Sequence, residues 1–331
     1  MQFDRMKRRE FITLLGGAVT WPLTAGAQQA SMPVIGLLDS RLPDAITGRL
    51  RGFRQGLKDT GYVEGENVAI VYRFADNHDD RLPELAADLA HRRVAVISTA
   101  GTPSVFAAKA ASTTIPIVFL VGDDPVRLNL VTSLARPGGN MTGINVFNSE
   151  VTSKRLEFLR ELVPRLARIA VLVNPADATL TDTQLKGVNA AAHAMGLQVQ
   201  VFNADTSAEI DAAFETMGRD RPDAVLVGPT AFLNGRCVQL AHLASFHRLP
   251  AIYGLRDFAE AGGLISYGSD IVNGFRQVGL YTGLILKGTK PADLPVVQAN
   301  KFELVINAQT ARMFGLALPD KLLAVADDVI E

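Results

Sequence analysis

The feature that most constrains this chain is that one order of elements is written in it twice. In the first copy "VIGLLDS" (34–40) reads as a buried strand and "ITGRLRGFRQGLKDTGY" (46–62) as a helix with Leu50, Phe53 and Leu57 on one face. "NVAIVYRFA" (67–75), "VAVISTAG" (94–101) and "IPIVFLVG" (115–122) are further strands, with the helix "RLPELAADLAHRR" (81–93) among them. The second copy runs "IAVLVNP" (169–175), the helix "DTQLKGVNAAAHAMG", the strand "LQVQVFNAD", then "IDAAFETMGRDRPDAVLVGPT" and "LPAIYGLRDF". Val34 to Gly61 is 27 residues (61 − 34), and Ile169 to Gly196 is again 27 (196 − 169). Pro116 to Asp123 is seven (123 − 116), as is Pro250 to Asp257 (257 − 250).

Strands that are apolar throughout and separated by helices call for parallel sheets covered on both faces. The expectation is therefore an α/β protein of two similar doubly wound parallel-sheet lobes joined by a hinge. The join falls in "RPGGNMTGINVFNSE" (136–150), whose glycines and asparagines suit a crossing. Lobe 1 is expected over 33–145 with a returning segment near 268–290. Lobe 2 is expected over 146–267 with the C-terminal segment 295–331. A length of 331 residues suits two medium domains, and 48% hydrophobic residues suffice for buried cores.

The charge balance, −1 overall, offers no basic excess for nucleic acid. A single cysteine, Cys237, rules out an intramolecular disulfide and a Cys-rich zinc motif. The N-terminus carries Lys7, Arg8 and Arg9, an apolar run from Phe11 to Val19, and Ala25 and Ala27 in an A-x-A arrangement. That is the plan of an export signal over residues 1–27, and the Arg8–Arg9 pair also fits the twin-arginine route. The run is too short, and too interrupted by Gly16, Gly17 and Pro22, for a spanning helix of roughly 20 residues.

In open parallel sheets ligands bind beyond the carboxyl ends of the strands. The candidates in lobe 1 are Ser40 and Arg41, Thr102 and Ser104, and Asp123. In lobe 2 they are Asp177, Thr230, Phe232, Tyr253, Asp257 and Tyr267. They form a set of hydroxyls, rings and opposed charges suited to a small polar or zwitterionic ligand. Asp123 and Asp257, related by the repeat, could each meet an ammonium group. Asp124, ahead of Pro125 and the helical-looking "VRLNLVTSL", reads as an N-cap. The hydroxyls after "VISTAG" read either as turn and cap formers or as donors to a carboxylate. Arg41 and Arg256 are candidate carboxylate clamps, and Tyr253 and Phe232 candidate stacking surfaces. The sequence has no G-x-S-x-G elbow, no H-E-x-x-H and no P-loop, and no G-x-G-x-x-G after the first strand, so neither catalysis nor a cofactor is indicated. His242 and His247 lie five apart, which does not place both on one helix face.

Taken together, "RREFI", "FRQGLKDTGYVEGENVAIVYRFA", "DRLPELAADLA", "IPIVFLVGDDPV", "LARPGGNMTG", "RLEFLRELVP", "AGGLISYG" and "LKGTKPADLPV…KFELVIN" resemble the ABC-transporter substrate-binding proteins of the tryptophan/tyrosine type. The resemblance covers nearly all of the chain after the export signal. It implies a type I periplasmic binding-protein fold with a ligand closed between two lobes, delivery to an ABC permease with its ATPase, and no chemistry on the ligand. The expectation is therefore a monomeric periplasmic receptor for a small-molecule solute, an amino acid. The rival readings are a sensor module for a membrane receptor and an exported α/β enzyme.

Overall fold

The computed structural model describes residues 32–146, 151–299 and 301–331. The expected export signal lies outside them. Among the described residues no helix is long and apolar enough to cross a membrane.

The first sheet contains β1 (Val34–Asp39), β2 (Ala69–Phe74), β3 (Val96–Ala100), β4 (Ile117–Val121) and β5 (Met141–Asn145). Helices α1 (Thr47–Asp59), α2 (Leu82–His91) and α3 (Thr102–Ala111) cover it. The second begins after α4 (Thr152–Leu162). It holds β6 (Arg168–Val173), β7 (Gln198–Asn203), β8 (Ala224–Val227), β9 (Ala251–Tyr253) and β10 (Ile265–Ser269). Between these strands run α5 (Ala178–Met195), α6 (Ser207–Asp220), α7 (Ala231–Asn234), α8 (Cys237–Phe246) and α9 (Arg256–Glu260). The chain then returns to the first sheet through α10 (Ile271–Leu286) and β11 (Val297–Gln298). It ends on the second with β12 (Phe302–Asn307), α11 (Ala308–Phe314), α12 (Asp320–Leu323) and β13 (Asp328–Ile330).

The strand orders are β11-β5-β4-β3-β1-β2 and β13-β12-β10-β9-β8-β6-β7. Read from the third strand of each half outward, the two orders match, so the duplication seen in the sequence is a duplication of topology. The reason is local. Strands such as β4, buried along its whole length, can only sit inside a sheet with helices on both faces.

Two features depart from the sequence reading. The second sheet is mixed rather than all parallel, because β12 pairs antiparallel with β10. β11 runs parallel to β5 and so delivers the chain to the cleft end of the molecule. A strand entering lobe 2 from that end must run against its neighbours. The second departure is 126–134, where the helical-looking stretch is a series of turns. Asn129 takes a positive φ of 55°, while Leu128, Leu130 and Val131 are buried against lobe 1. Burial of three side chains close together outweighs the helix start written by Asp-Pro. Asp124 still caps, but it caps a turn, with Oδ1 accepting from the Val126 N–H at 2.8 Å.

Candidate functional site

The loops at the carboxyl ends of β1, β3 and β4 meet those following β6, β8 and β9 across a cleft. Between them lies a cavity of about 50 Å³, several times the roughly 10–15 Å³ that one water needs. Arg41, Arg49 and Thr102 border it from lobe 1, and Asp177 and Asn234 from lobe 2. Leu120, Val146, Leu255, Ile271 and Phe275 supply apolar wall. The lobes approach closely here. At Gly101, whose φ is 88°, a Cβ would lie 3.1 Å from the Cβ of Ala231 in the other lobe. Both the backbone angle and the closeness favour glycine there.

Arg49 is the feature that the strand-end reading missed. It is the third residue of α1 and only 2% exposed. Its Nη2 donates to Asp257 Oδ2 of the opposite lobe at 2.8 Å, while Nε and Nη1 have no hydrogen-bond partner among the described residues. Burial lowers its pKa from the ordinary value, as does the nearby charge of Arg41, and Asp257 opposes both. The signal was present in the sequence. Ile46, at the N-cap, and Leu50, Phe53 and Leu57 of α1 form a buried stripe, and Arg49 lies within that stripe. A charge on an apolar face is the anomaly to follow.

Across the cavity, Asp177 caps α5, its Oδ1 accepting from the Leu180 N–H at 3.4 Å. It is 8% exposed and in no ion pair among the described residues. Burial raises its pKa, against which hydrogen bonds from the Leu180 N–H and the Thr102 hydroxyl act.

Of the expected residues, Arg41, Thr102 and Asp177 border the cavity. Arg41 is already committed: its Nε and Nη2 donate to the two oxygens of Asp39 at 2.7 and 2.5 Å. Asp123 is buried beside the cleft, but Arg127 Nη2 donates to its Oδ2 at 2.5 Å. Arg127 also donates to the Thr183 hydroxyl of lobe 2. Asp257 is the partner of Arg49. Ser40 lends its carbonyl to the Asn77 N–H, and Ser104 is buried within α3. Thr230 caps α7 through the Leu233 N–H, and Phe232 lies under the Arg236 guanidinium at 3.7 Å. Tyr253 is in the core of lobe 2, its ring stacked 4.4 Å from that of Phe258. Tyr267 packs edge-on against Phe158 at 5.0 Å. Arg256 is held away from the cavity by Glu260, Glu303 and Asp328. Among the described residues, no cluster of three or more His, Cys, Asp or Glu could hold a metal ion.

The family described as ABC transporter substrate binding protein matches residues 33–330. A "Tyrosine-binding protein" of Clostridioides difficile is 26% identical over 266 residues, 80% of this chain and 76% of the relative. An ABC domain from Streptococcus pneumoniae in complex with L-Trp superposes with a TM-score of 0.83 at 25% identity, covering 91% of this chain and 100% of that one. A conserved domain protein from Vibrio cholerae gives the same TM-score, 0.83, at 26% identity, covering 90% and 99%. The chain belongs to the ABC transporter substrate-binding protein family, and its fold is that of the type I periplasmic binding proteins.

Proposed function

We propose that this substrate-binding protein is the periplasmic receptor of an ABC importer and that it captures an amino acid with an apolar or aromatic side chain. In this reading it acts as a monomer, closes its lobes over the solute and presents the closed form to a permease with its ATPase. The observation that carries the reading is the pair of opposed, incompletely satisfied charges on the two sides of one cavity. Arg49 offers Nε–H and Nη1–H to a carboxylate. Asp177 offers a carboxylate without a cationic partner to an ammonium. Leu120, Leu255, Ile271 and Phe275 surround the space left for a side chain. A zwitterion held this way satisfies two buried charges that the protein alone leaves underpaired. The tyrosine-binding relative and the L-Trp complex support the same ligand class.

The test is calorimetric titration of L-tyrosine, L-tryptophan and L-phenylalanine into the wild type and Asp177→Asn. Binding to the wild type is expected, with a loss of about 2–5 kcal/mol in the variant, as for a buried charge pair stripped of one partner. Equal affinity of the two proteins would remove Asp177 from the site. A wild type that binds none of the three would remove the amino-acid reading.

A further inference from the structure

A second cavity, of about 10 Å³, lies in lobe 1 behind the first. Ala100 and Phe275 line both. Beyond them the rear space is walled by Leu37, Phe53 and Val278 between the sheet and helices α1 and α10. We propose that Phe275 is the partition that sets how deeply a ligand's apolar side chain enters lobe 1, and so determines which side chains the receptor accepts. The proposal rests on the amino-acid reading above and adds a specificity-determining residue to it.

The arrangement along α10 supports it. Ile271 and Phe275, four residues apart, both face the cleft cavity, and Val278, three further on, faces the rear one. Phe275 therefore stands where the helix passes from one space to the other. The helix itself cannot retreat. A Cβ on Gly274 would lie 2.9 Å from a methyl of Leu120, and one on Gly279 would lie 2.1 Å from the carbonyl oxygen of Phe53. Backbone this tightly seated leaves the size of the side chain at 275 as what separates the two spaces, since the rear one is too small to receive the ring. The Arg41 guanidinium, 5.9 Å from the ring centroid, borders its cleft side. The rear lining is mostly apolar, with Asp39, Ser98 and Thr99 as its polar members, so the space that a smaller residue at 275 would open suits an apolar group rather than a charged one.

The experiment measures the affinities of L-leucine, L-phenylalanine, L-tyrosine and L-tryptophan for the purified wild type, Phe275→Leu, Phe275→Ala and Phe275→Trp. Folding of each is confirmed by circular dichroism and melting. Shrinking the partition is expected to raise the L-tryptophan to L-leucine affinity ratio by about tenfold or more, and Phe275→Trp to lower it. Should Phe275→Ala fail to fold, the Leu and Trp variants carry the comparison in opposite directions. An unchanged ratio in folded variants overturns the partition while leaving the receptor reading intact. A wild type that binds none of the four overturns the amino-acid reading and the partition together.

Discussion

At the residue scale, Asp177, the carboxylate proposed to meet the ligand, works against the fold that holds it. Burial raises its pKa above the ordinary 3.8, so the fold favours its neutral form. Its contribution to stability is then fully present below the ordinary value and is lost as the pH rises through the raised one. At neutral pH the charge is a net cost. Asp177→Asn keeps the cap on α5, since Asn caps as well as Asp. It is expected to stabilise the free protein at pH 7 by about 0.5–2 kcal/mol while weakening ligand binding. The gain should disappear near pH 3, where Asp177 is itself neutral. Melting curves of both proteins across that range check this, and a variant less stable at pH 7 would refute it. On the proposed zwitterion binding, ligand affinity should also fall as the pH drops through the raised pKa, because the ammonium would lose its carboxylate. In the sequence, Asp177 was recognisable as a strand-end acid. Nothing there separated it from Asp123, which is neutralised by Arg127 through a turn that the sequence presented as a helix. Tyr253 looked equally available at a strand end, yet its ring belongs to the core.

At the element scale, α10 packs on α1 through glycines. A Cβ on Gly56 would fall 1.8 Å from the Arg276 carbonyl oxygen, and one on Gly283 would fall 1.9 Å from the Thr60 hydroxyl. The two backbones approach where side chains would hold them apart, and this seats the helix that returns from lobe 2. Gly279→Ala should therefore destabilise by about 1–3 kcal/mol through overpacking. Gly48→Ala, in the same α1 with no heavy atom nearer than 3.8 Å, should stabilise by about 0.5–1 kcal/mol through helix propensity. Chemical denaturation of the two variants is the check, and similar effects from both would show that the crossing is not tight. The strands and most helices were legible because their apolar runs and amphipathic periods are local. The glycines of α1 and α10 were visible as letters, but their purpose lies in a pairing of segments some 220 residues apart, as Gly56 and Gly279 are.

At the scale of the whole molecule, the Arg49–Asp257 pair joins the lobes across 208 residues of sequence. Asp257→Asn leaves the buried guanidinium without its carboxylate. With the Asp257 side chain 30% exposed, the cost to the closed arrangement is about 1–3 kcal/mol. The expected result is a larger radius of gyration in solution scattering and weaker ligand binding through faster dissociation. An unchanged radius together with an unchanged dissociation rate would show that the pair does not hold the lobes. What the sequence by itself determined was the duplicated α/β plan, the strand ends at which a ligand could sit, and the family. All three depend on patterns within about 30 residues, where strand and helix periods are set by local sterics and burial. What only the tertiary structure decided was which charges are satisfied. Arg41 is matched by its neighbour Asp39 and Asp123 by Arg127, whereas Arg49, in the first turn of α1, pairs with Asp257 through Nη2 alone and borders the same cavity as Asp177. Whether a buried charge is free to bind depends on every group that the folded chain packs around it, and that is a property of the assembled lobes rather than of any stretch of residues.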